Sequence, residues 1–418
     1  MDNLTHSLAG LVIGDAAILL RQRFGSGKAP GPGFRGAALT TGVLSSNGPD
    51  LDFVYTGITA GKLGYLLHHR GHTHTLVAAL PLTLLVVSVA ALALRLAGLR
   101  LTASDYRVLV GLGAVGSVLH VLMDFGNNYG VHPFWPVSNA WYYGDAIFIV
   151  DPWFLLILGG MALSVGASRV LTGVLLASMA GLVALAWVSG LTGAWLASGL
   201  TLFAVLWVRW LWRATPRRRW RSGGAALLCL WVALLGTRHV ARANVRAALE
   251  LDPTLSLMSL ASTPAPGNPL CWSLLAVQQG EGEYVVRQAL AAGWPWLSSA
   301  EACRFWSTST TAPLSAPRPR DGIKANRQLV WGPEFRAPLA ELSSTRRDDC
   351  VAAAFLRFAR IPYWIRRGER SAVIGDLRFD RSKAIEFAEL VLTPGAPCPR
   401  FEPPWSPPLP WLEDGGGR

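Results

Sequence analysis

His68-His69-Arg70-Gly71-His72-Thr73-His74-Thr75 runs directly into an apolar stretch, residues 76–98, interrupted only by Pro81 and Arg95. The two halves of this junction decide the reading of the chain. Four histidines in seven residues exceed what packing requires. Neutral imidazole nitrogens held close together suit zinc or a similar divalent ion. The apolar half is near the roughly 20 residues that carry a helix across hydrocarbon. A solvated polar loop ahead of a span is the plainer account of the histidines. The pattern around them argues against it. His6, His68, His69, His72, His74, His120 and His132 all precede residue 133 and fall among Asp50, Asp52, Asp124, Asp145 and Asp151. No histidine follows His239, so any imidazole chemistry belongs to the first third of the chain.

Composition points to a bilayer as solvent. Hydrophobic residues make up 51% of the 418 positions and charged residues 15%, and the mean hydropathy is +0.33. A soluble domain carries about a quarter of its residues charged. Residues 146–167, 170–188, 191–212 and 225–240 read as further spans. Residues 4–20, 36–46 and 108–123 are shorter or more polar and read as helices at the rim of the bilayer or buried among the spans. The start of the chain carries no Lys or Arg before Arg21 and is not a cleaved signal by pattern. From about Glu250 prolines, glycines and charges become frequent, and strand-like runs such as 329–332 and 372–379 alternate with turn signals. The expected fold is an α-helical polytopic membrane protein with a C-terminal soluble α+β or β-rich domain. The expected divisions are a membrane-embedded His/Asp region at 1–155, additional transmembrane helices at 156–248, a soluble domain at 249–393 and a Pro/Gly-rich disordered tail at 394–418.

The basic residues give an orientation. If every apolar segment crosses or half-crosses, one side receives Arg21, Arg23, Lys28 and Arg35, then Arg95, Arg100 and Arg107, then Arg169, then residues 209–221. That side is cytoplasmic by the positive-inside rule. Both His/Asp loops and the C-terminal domain are then extracytoplasmic, with Arg238, Arg242 and Arg246 as the counter-signal. The net charge of +12 is largely topogenic, with Arg217, Arg218, Arg219 and Arg221 clustered in one loop, and no recognition fold supports nucleic-acid binding. The bilayer is the expected partner. Cys271, Cys303, Cys350 and Cys398 fall in the C-terminal region, where they read equally as one or two disulfides or as buried thiols.

Three further motifs accompany the histidine run. Asn47-Gly48-Pro49-Asp50-Leu51-Asp52 places two carboxylates in a Pro-initiated loop, where both can face one ion or one can orient an imidazole. It also reads as an ordinary Asp-stabilised turn. His120 and Asp124 stand four apart, hence on one face of a helix, and an ionisable pair near the end of an apolar helix is costly unless paired or functional. Asp151 lies within apolar sequence and is either a site residue or a helix cap before Pro152. His6 and Asp15 on the first apolar segment carry the same ambiguity. His72 joins the ligand candidates through its place in the run, and His132 is a further ligand or acid/base candidate.

At these residues the chain resembles the YdjM-type inner-membrane metal-dependent hydrolases. The resemblance rests on Met1-Asp2-Asn3-Leu4-Thr5-His6, Gly14-Asp15-Ala16, Pro49-Asp50-Leu51-Asp52, His69-Arg70-Gly71 with Thr73-His74, His120 with Asp124, Tyr129-Gly130, and Asp145 through Asp151-Pro152. It covers residues 1–155 well, and the later spans and the stretch Gly375-Asp376-Leu377-Arg378-Phe379 more loosely. It implies a divalent-metal hydrolase in the membrane, with His69, His74, His120 and Asp124 as ligands and Asp50 and Asp52 beside them. His6 stands where many members have Gln, and Asp15 where Glu is common. The His-x-x-x-Asp spacing is also similar to that of zinc phospholipases C. That similarity implies metal-activated water attacking a phosphodiester, with Arg70 holding a phosphate oxygen bidentately and Asp50 or Asp52 taking the proton. Zinc is the expected ion, with manganese as the second choice, and a lipid or lipid-linked phosphoester is the expected substrate. A metal or ion transporter would place ionisable residues deep in several spans, and the later spans have almost none. A non-catalytic scaffold stapled by the metal remains the other reading.

Overall fold

The computed structural model describes residues 1–24, 30–59, 61–163, 165, 169–190, 192–303, 310–316, 327–367 and 371–409. The helices are α1 (Asn3–Phe24), α2 (Phe34–Asn47), α3 (Gly61–His68), α4 (Leu76–Leu96), α5 (Ala103–Phe125), α6 (Pro152–Leu163), α7 (Arg169–Val188), α8 (Gly193–Arg213), α9 (Pro216–Leu249), α10 (Leu339–Asp348) and α11 (Cys350–Phe355). The strands are β1 (Ser256–Ala265), β2 (Asn268–Gly280), β3 (Glu283–Ala292), β4 (Leu329–Pro338), β5 (Pro362–Arg367), β6 (Ser371–Asp376) and β7 (Glu389–Leu392). The chain forms two compact units. The first is Met1–Leu51, His72–Trp135 and Phe148–Val232, and the second is Asp52–Gly71, Pro136–Ile147 and Ala233–Arg418. The contiguous division at residue 155 expected from composition differs from this, because two loops from the first third belong with the C-terminal unit.

In the helical unit α1 and α2 pack through small residues. A Cβ on Gly42 would lie 2.2 Å from Gly10 O, and one on Gly14 would lie 2.9 Å from Ala38 O, so the two backbones touch. Ile18, Phe34, Ala38, Val87, Leu109 and Leu112 fill the space between α1, α2, α4 and α5. At one end of these helices Arg21 Nε donates to Asp105 Oδ1 at 3.0 Å. Asp105 also forms a capping box with Thr102 at the start of α5 and accepts from Gly31 N at 2.9 Å. Leu156, Met179, Ala186, Ala197 and Leu200 form a second core among α6, α7 and α8.

Among the described residues six helices are long and apolar enough to cross a membrane: α1, α4, α5, α7, α8 and α9. Two of these extend the sequence reading. At 22 and 23 residues, α1 and α5 are long and apolar enough to span, and half of each apolar window is buried, which fits burial among the spans rather than a place at the rim. The polar positions that bound their apolar runs, Arg21 and Asp105 among them, are buried against each other and do not end the helix. The run at 146–167 departs from the reading in the opposite sense. Among its described residues only Pro152–Leu163 is helical, because Asp145 adopts a left-handed φ of 51° and Asp151 caps a helix that begins at Pro152. Its apolar character is explained by burial, with Leu156 at 0% and Ala162 at 1% exposure.

The second unit contains a four-stranded antiparallel sheet in the order β1-β2-β3-β4 and a three-stranded antiparallel sheet β5-β6-β7. Tyr284 of β3 and Phe335 of β4 meet Trp364 of β5 with ring centroids 5.5 and 5.2 Å apart. Both sulfur pairs close as disulfides, Cys271–Cys303 and Cys350–Cys398, which settles the cysteine alternatives. The tail read as disordered from Pro394 is exposed over residues 394–398 and then anchored through Pro403, Trp405 and Leu409, which are buried. Trp405 is fully buried, and its Nε1 donates to Leu67 O at 2.7 Å. Residues 410–418, like Lys28, lie outside the described residues.

The α1–α2 contact has no room for a side chain. Gly42→Val should therefore destabilise the helical unit by about 1–3 kcal/mol, the usual cost of overpacking. The check is a lower thermal midpoint in detergent, and an unchanged midpoint would contradict the close approach.

Candidate metal centre

Four helix ends converge on one cluster in the helical unit. His6 lies in the first turn of α1, Asp50 in the 3-10 turn Gly48–Val54 that follows α2, and His74 in the 3-10 turn His72–His74 that precedes α4. His120 and Asp124 occupy the last two turns of α5. The local sequence explains these placements. Pro49 cannot continue α2 as an α-helix, so the chain tightens and turns Asp50 out of the helix. Thr75 caps α4 by accepting from Ala78 N at 3.0 Å and donates its hydroxyl to His72 O at 3.0 Å, which fixes the turn carrying His74. On α5 the four-residue spacing stacks His120 over Asp124.

Asp50, His74, His120 and Asp124 each offer one donor atom, and all four lie within 4.8 Å of one another. His74 Nε2 and His120 Nε2 are 3.0 Å apart. His74 Nε2 is 3.2 Å from Asp124 Oδ2 and 3.5 Å from Asp50 Oδ1. His120 Nε2 is 3.5 Å from each of the same two oxygens. A tetrahedral ion with ligand bonds of about 2.0–2.2 Å sets its donors roughly 3.3–3.6 Å apart. Three of the five separations fall in that range and the other two are 0.1–0.3 Å shorter, so this buried Asp/His cluster can bind a metal ion.

The surroundings orient the donors. His120 Nδ1 donates to Ser46 O at 2.7 Å, which leaves Nε2 as a lone pair aimed into the cluster. His74 Nδ1 lies 3.2 Å from Thr73 Oγ1. His6 stacks on His120 with centroids 3.8 Å apart, and its Nε2 is 3.2 Å from Asp124 Oδ1. The Met1 amine pairs with the same Asp124 oxygen. Burial alone would raise the Asp50 carboxyl, but the ring nitrogens of His120 and His74 beside it hold it well below the usual carboxylate range. Asp50 is also the least enclosed of the four, at 8% exposure against 1% or less for the others.

The remaining predicted residues have other surroundings. His69 Nδ1 is 3.0 Å from Asp52 Oδ1, and Arg70 N donates to Asp52 Oδ2 at 2.9 Å. Both Asp52 oxygens therefore hold the His69–Arg70 turn, where Arg70 takes a left-handed φ of 61°. His72 packs edge-on against Trp135 at 4.7 Å, and burial lowers its pKa. Asp15 is not part of the cluster. It stands nine residues beyond His6, about 13 Å along the helix, and is hydrogen-bonded to Trp220 beside Arg35 and Arg219. Asp151 is likewise a cap, accepting from Trp153 N at 2.9 Å and Phe154 N at 3.2 Å. His132 is fully buried and its carbonyl accepts from Trp135 N at 3.3 Å. The role of Ser46 was invisible in the sequence, since a backbone carbonyl carries no residue signal.

The family model described as YdjM inner membrane protein matches residues 1–245, more than half of the chain. The chain belongs to the YdjM inner membrane protein family. The YdjM match takes in the whole Asp/His cluster and the membrane helices as far as the last turn of α9, and it leaves both β-sheets outside. Family membership and the apolar helices make this a multi-pass membrane protein. No curated protein and no solved structure matches the chain.

The Asp151 cap has a pH signature. Burial pushes its carboxyl up to about 6, against the opposing backbone hydrogen bonds from Phe154 and Trp153. The native state then binds more protons than the unfolded chain between the usual carboxylate value and about 6, so stability falls as pH rises through that window. Asp151→Asn keeps the cap and should flatten the fall, read as the thermal midpoint in detergent against pH. A fall as steep as that of the parent protein would contradict the burial argument.

Proposed function

We propose that this YdjM-family chain is a divalent-metal-dependent hydrolase in the membrane, acting on a phosphoester of a lipid or lipid-linked compound. The observation that carries the reading is the close set of donor atoms on Asp50, His74, His120 and Asp124, with every imidazole separation from 3.0 to 3.5 Å and all four atoms within 4.8 Å. In this reading His74, His120 and Asp124 hold zinc or manganese, and Asp50 stands at the edge of the site. A bound ion supplies Lewis acidity, which lowers the pKa of water and stabilises charge building on phosphorus. The protein's own part is to keep His120 in one tautomer through Ser46 and to hold Asp50 ionised at neutral pH. Asp50, on the more open edge of the cluster, is the residue assigned to accept the proton. Asp52, with both oxygens engaged by His69 and Arg70, is assigned to position their turn. The substrate class follows from placement at the ends of membrane helices, where an amphiphile gains from the location and a water-soluble compound does not.

A scaffold role is the second reading, because four protein donors can close a tetrahedral site without leaving an open position. The experiments separate the two. His74→Ala and Asp124→Ala should each lower bound zinc or manganese at least about ten-fold while membrane insertion is unchanged, and Asp15→Asn should retain the metal. Turnover of phosphoester lipids in detergent or bilayers should vanish with chelator and return with zinc or manganese. Unchanged metal in both Ala variants refutes the ligand assignment. Full metal loading without turnover across a lipid panel favours the scaffold.

The orientation is also proposed. Within the helical unit the Arg21–Asp105 pair and the Asp15–Trp220 contact lie toward the opposite helix ends from the Asp/His cluster, together with the basic residues of the loops. The positive-inside rule makes those ends cytoplasmic. The two disulfides support an oxidising compartment for the β-rich unit. An alkaline-phosphatase fusion after residue 260 should be active, and a green fluorescent protein fusion there dark. The reverse pair of results would invert the orientation.

A further inference from the structure

The β-rich unit contains a second polar site that the metal reading does not use. Arg238, Arg242 and Arg246 recur at every fourth position of α9, so their guanidinium groups follow one face of the helix. With Arg360, Tyr143 and Asp145 they line a cavity of about 390 Å³. Asp145 is the only carboxylate in that lining, against four guanidinium groups. It accepts from Arg360 Nη1 at 2.8 Å and from Arg242 Nη1 at 3.3 Å, and it is held in place by a left-handed backbone that a non-glycine residue rarely adopts. Asp376, which accepts from the Arg360 backbone N, is already paired with Arg378 at 2.7 Å.

The donors are not all used. Arg238 bonds Gly144 O through Nη1, but its buried Nε has no partner among the described residues. The buried Tyr143 hydroxyl also has none, although its ring lies under Arg360 at 4.2 Å. The Arg246 guanidinium makes no ion pair or hydrogen bond among the described residues, and its backbone carbonyl accepts from Glu250 N at 2.9 Å. Arg360 is buried, Arg238 and Arg242 are half-buried and Arg246 stands exposed at the mouth, so an excess of three positive charges with idle donors faces an opening that an anion can enter. A carboxylate engages one guanidinium fork, whereas a tetrahedral phosphate accepts from several at once. Arg238 also directly follows the apolar stretch 223–237 of a membrane helix, at the level where lipid phosphates lie.

We propose that this cavity binds a phosphate group, carried by a lipid headgroup or free in solution. The inference is independent of the metal centre and stands whether or not the chain is an enzyme. It also accounts for the three arginines beyond the last apolar run that oppose the charge rule: they serve a binding site rather than topology.

The test uses the full-length protein, exhaustively delipidated in neutral detergent. Inorganic phosphate binding is measured by calorimetry, and binding of phosphatidate against phosphatidylcholine is measured after transfer to nanodiscs. Saturable binding of phosphate or phosphatidate should weaken about ten-fold in Arg246→Gln, the size expected for one charge-assisted contact. It should weaken by a smaller factor in Tyr143→Phe and stay unchanged in Arg217→Gln, which alters a basic residue elsewhere on α9. Binding of inorganic phosphate that competes with phosphatidate identifies a site for the phosphate group itself. Binding of phosphatidate alone, still lost in Arg246→Gln, identifies a headgroup site. The proposal is overturned if neither probe binds, or if Arg246→Gln and Arg217→Gln bind as tightly as the parent protein.

Discussion

Two carboxylates and two imidazoles buried at the meeting point of four helix ends impose the constraint on which the helical unit depends. Taking an isolated carboxylate out of water costs several kcal/mol, so Asp124, at 1% exposure, is tolerable only with compensating charge around it. His6, His74 and His120 bring ring nitrogens to within 3.2–3.5 Å of it on three sides, each from a different helix or turn. Their approach requires the ends of α1, α4 and α5 to meet. The small-residue contact between α1 and α2 serves that requirement, as does the Arg21–Asp105 pair at the far end, which keeps α1 and α5 in register. A cation in the cluster would relieve the same cost more fully than imidazole hydrogen bonds alone.

What the sequence disclosed follows the physics of each signal. The His120–Asp124 pair was legible because helical spacing puts them on one face, and His74 because four histidines in seven residues exceed packing needs. Asp50 was legible only as one of two carboxylates in a turn. Its neighbour Asp52 differs from it by the partners it meets, which no spacing encodes. Asp15 and Asp151 were ambiguous for one reason: a buried carboxylate looks the same in sequence whether it holds a cation, an indole N–H or the first turn of a helix. Structure resolves each by the atom opposite.

The membrane helices show a related limit. Apolar run length understated α1 and α5, where buried polar residues bound the run without ending the helix, and it misjudged 146–167, where an apolar run serves as core. The β-rich unit was recognised by composition and by the strand-like runs at 329–332 and 372–379, which fall in or across β4 and β6. Its disulfides were not assignable, because pairing depends on which strands and helices lie side by side. Arg238, Arg242 and Arg246 illustrate the same point from the charge side: a basic cluster at a helix end reads as topology until the cavity it lines is seen.

X-ray absorption at the metal edge of the purified, metal-loaded protein tests the central claim most directly. The account predicts a first shell of nitrogen and oxygen at about 2.0–2.2 Å, with the outer-shell scattering of two imidazole rings. A first shell containing sulfur, or a shell without imidazole scattering, would contradict it.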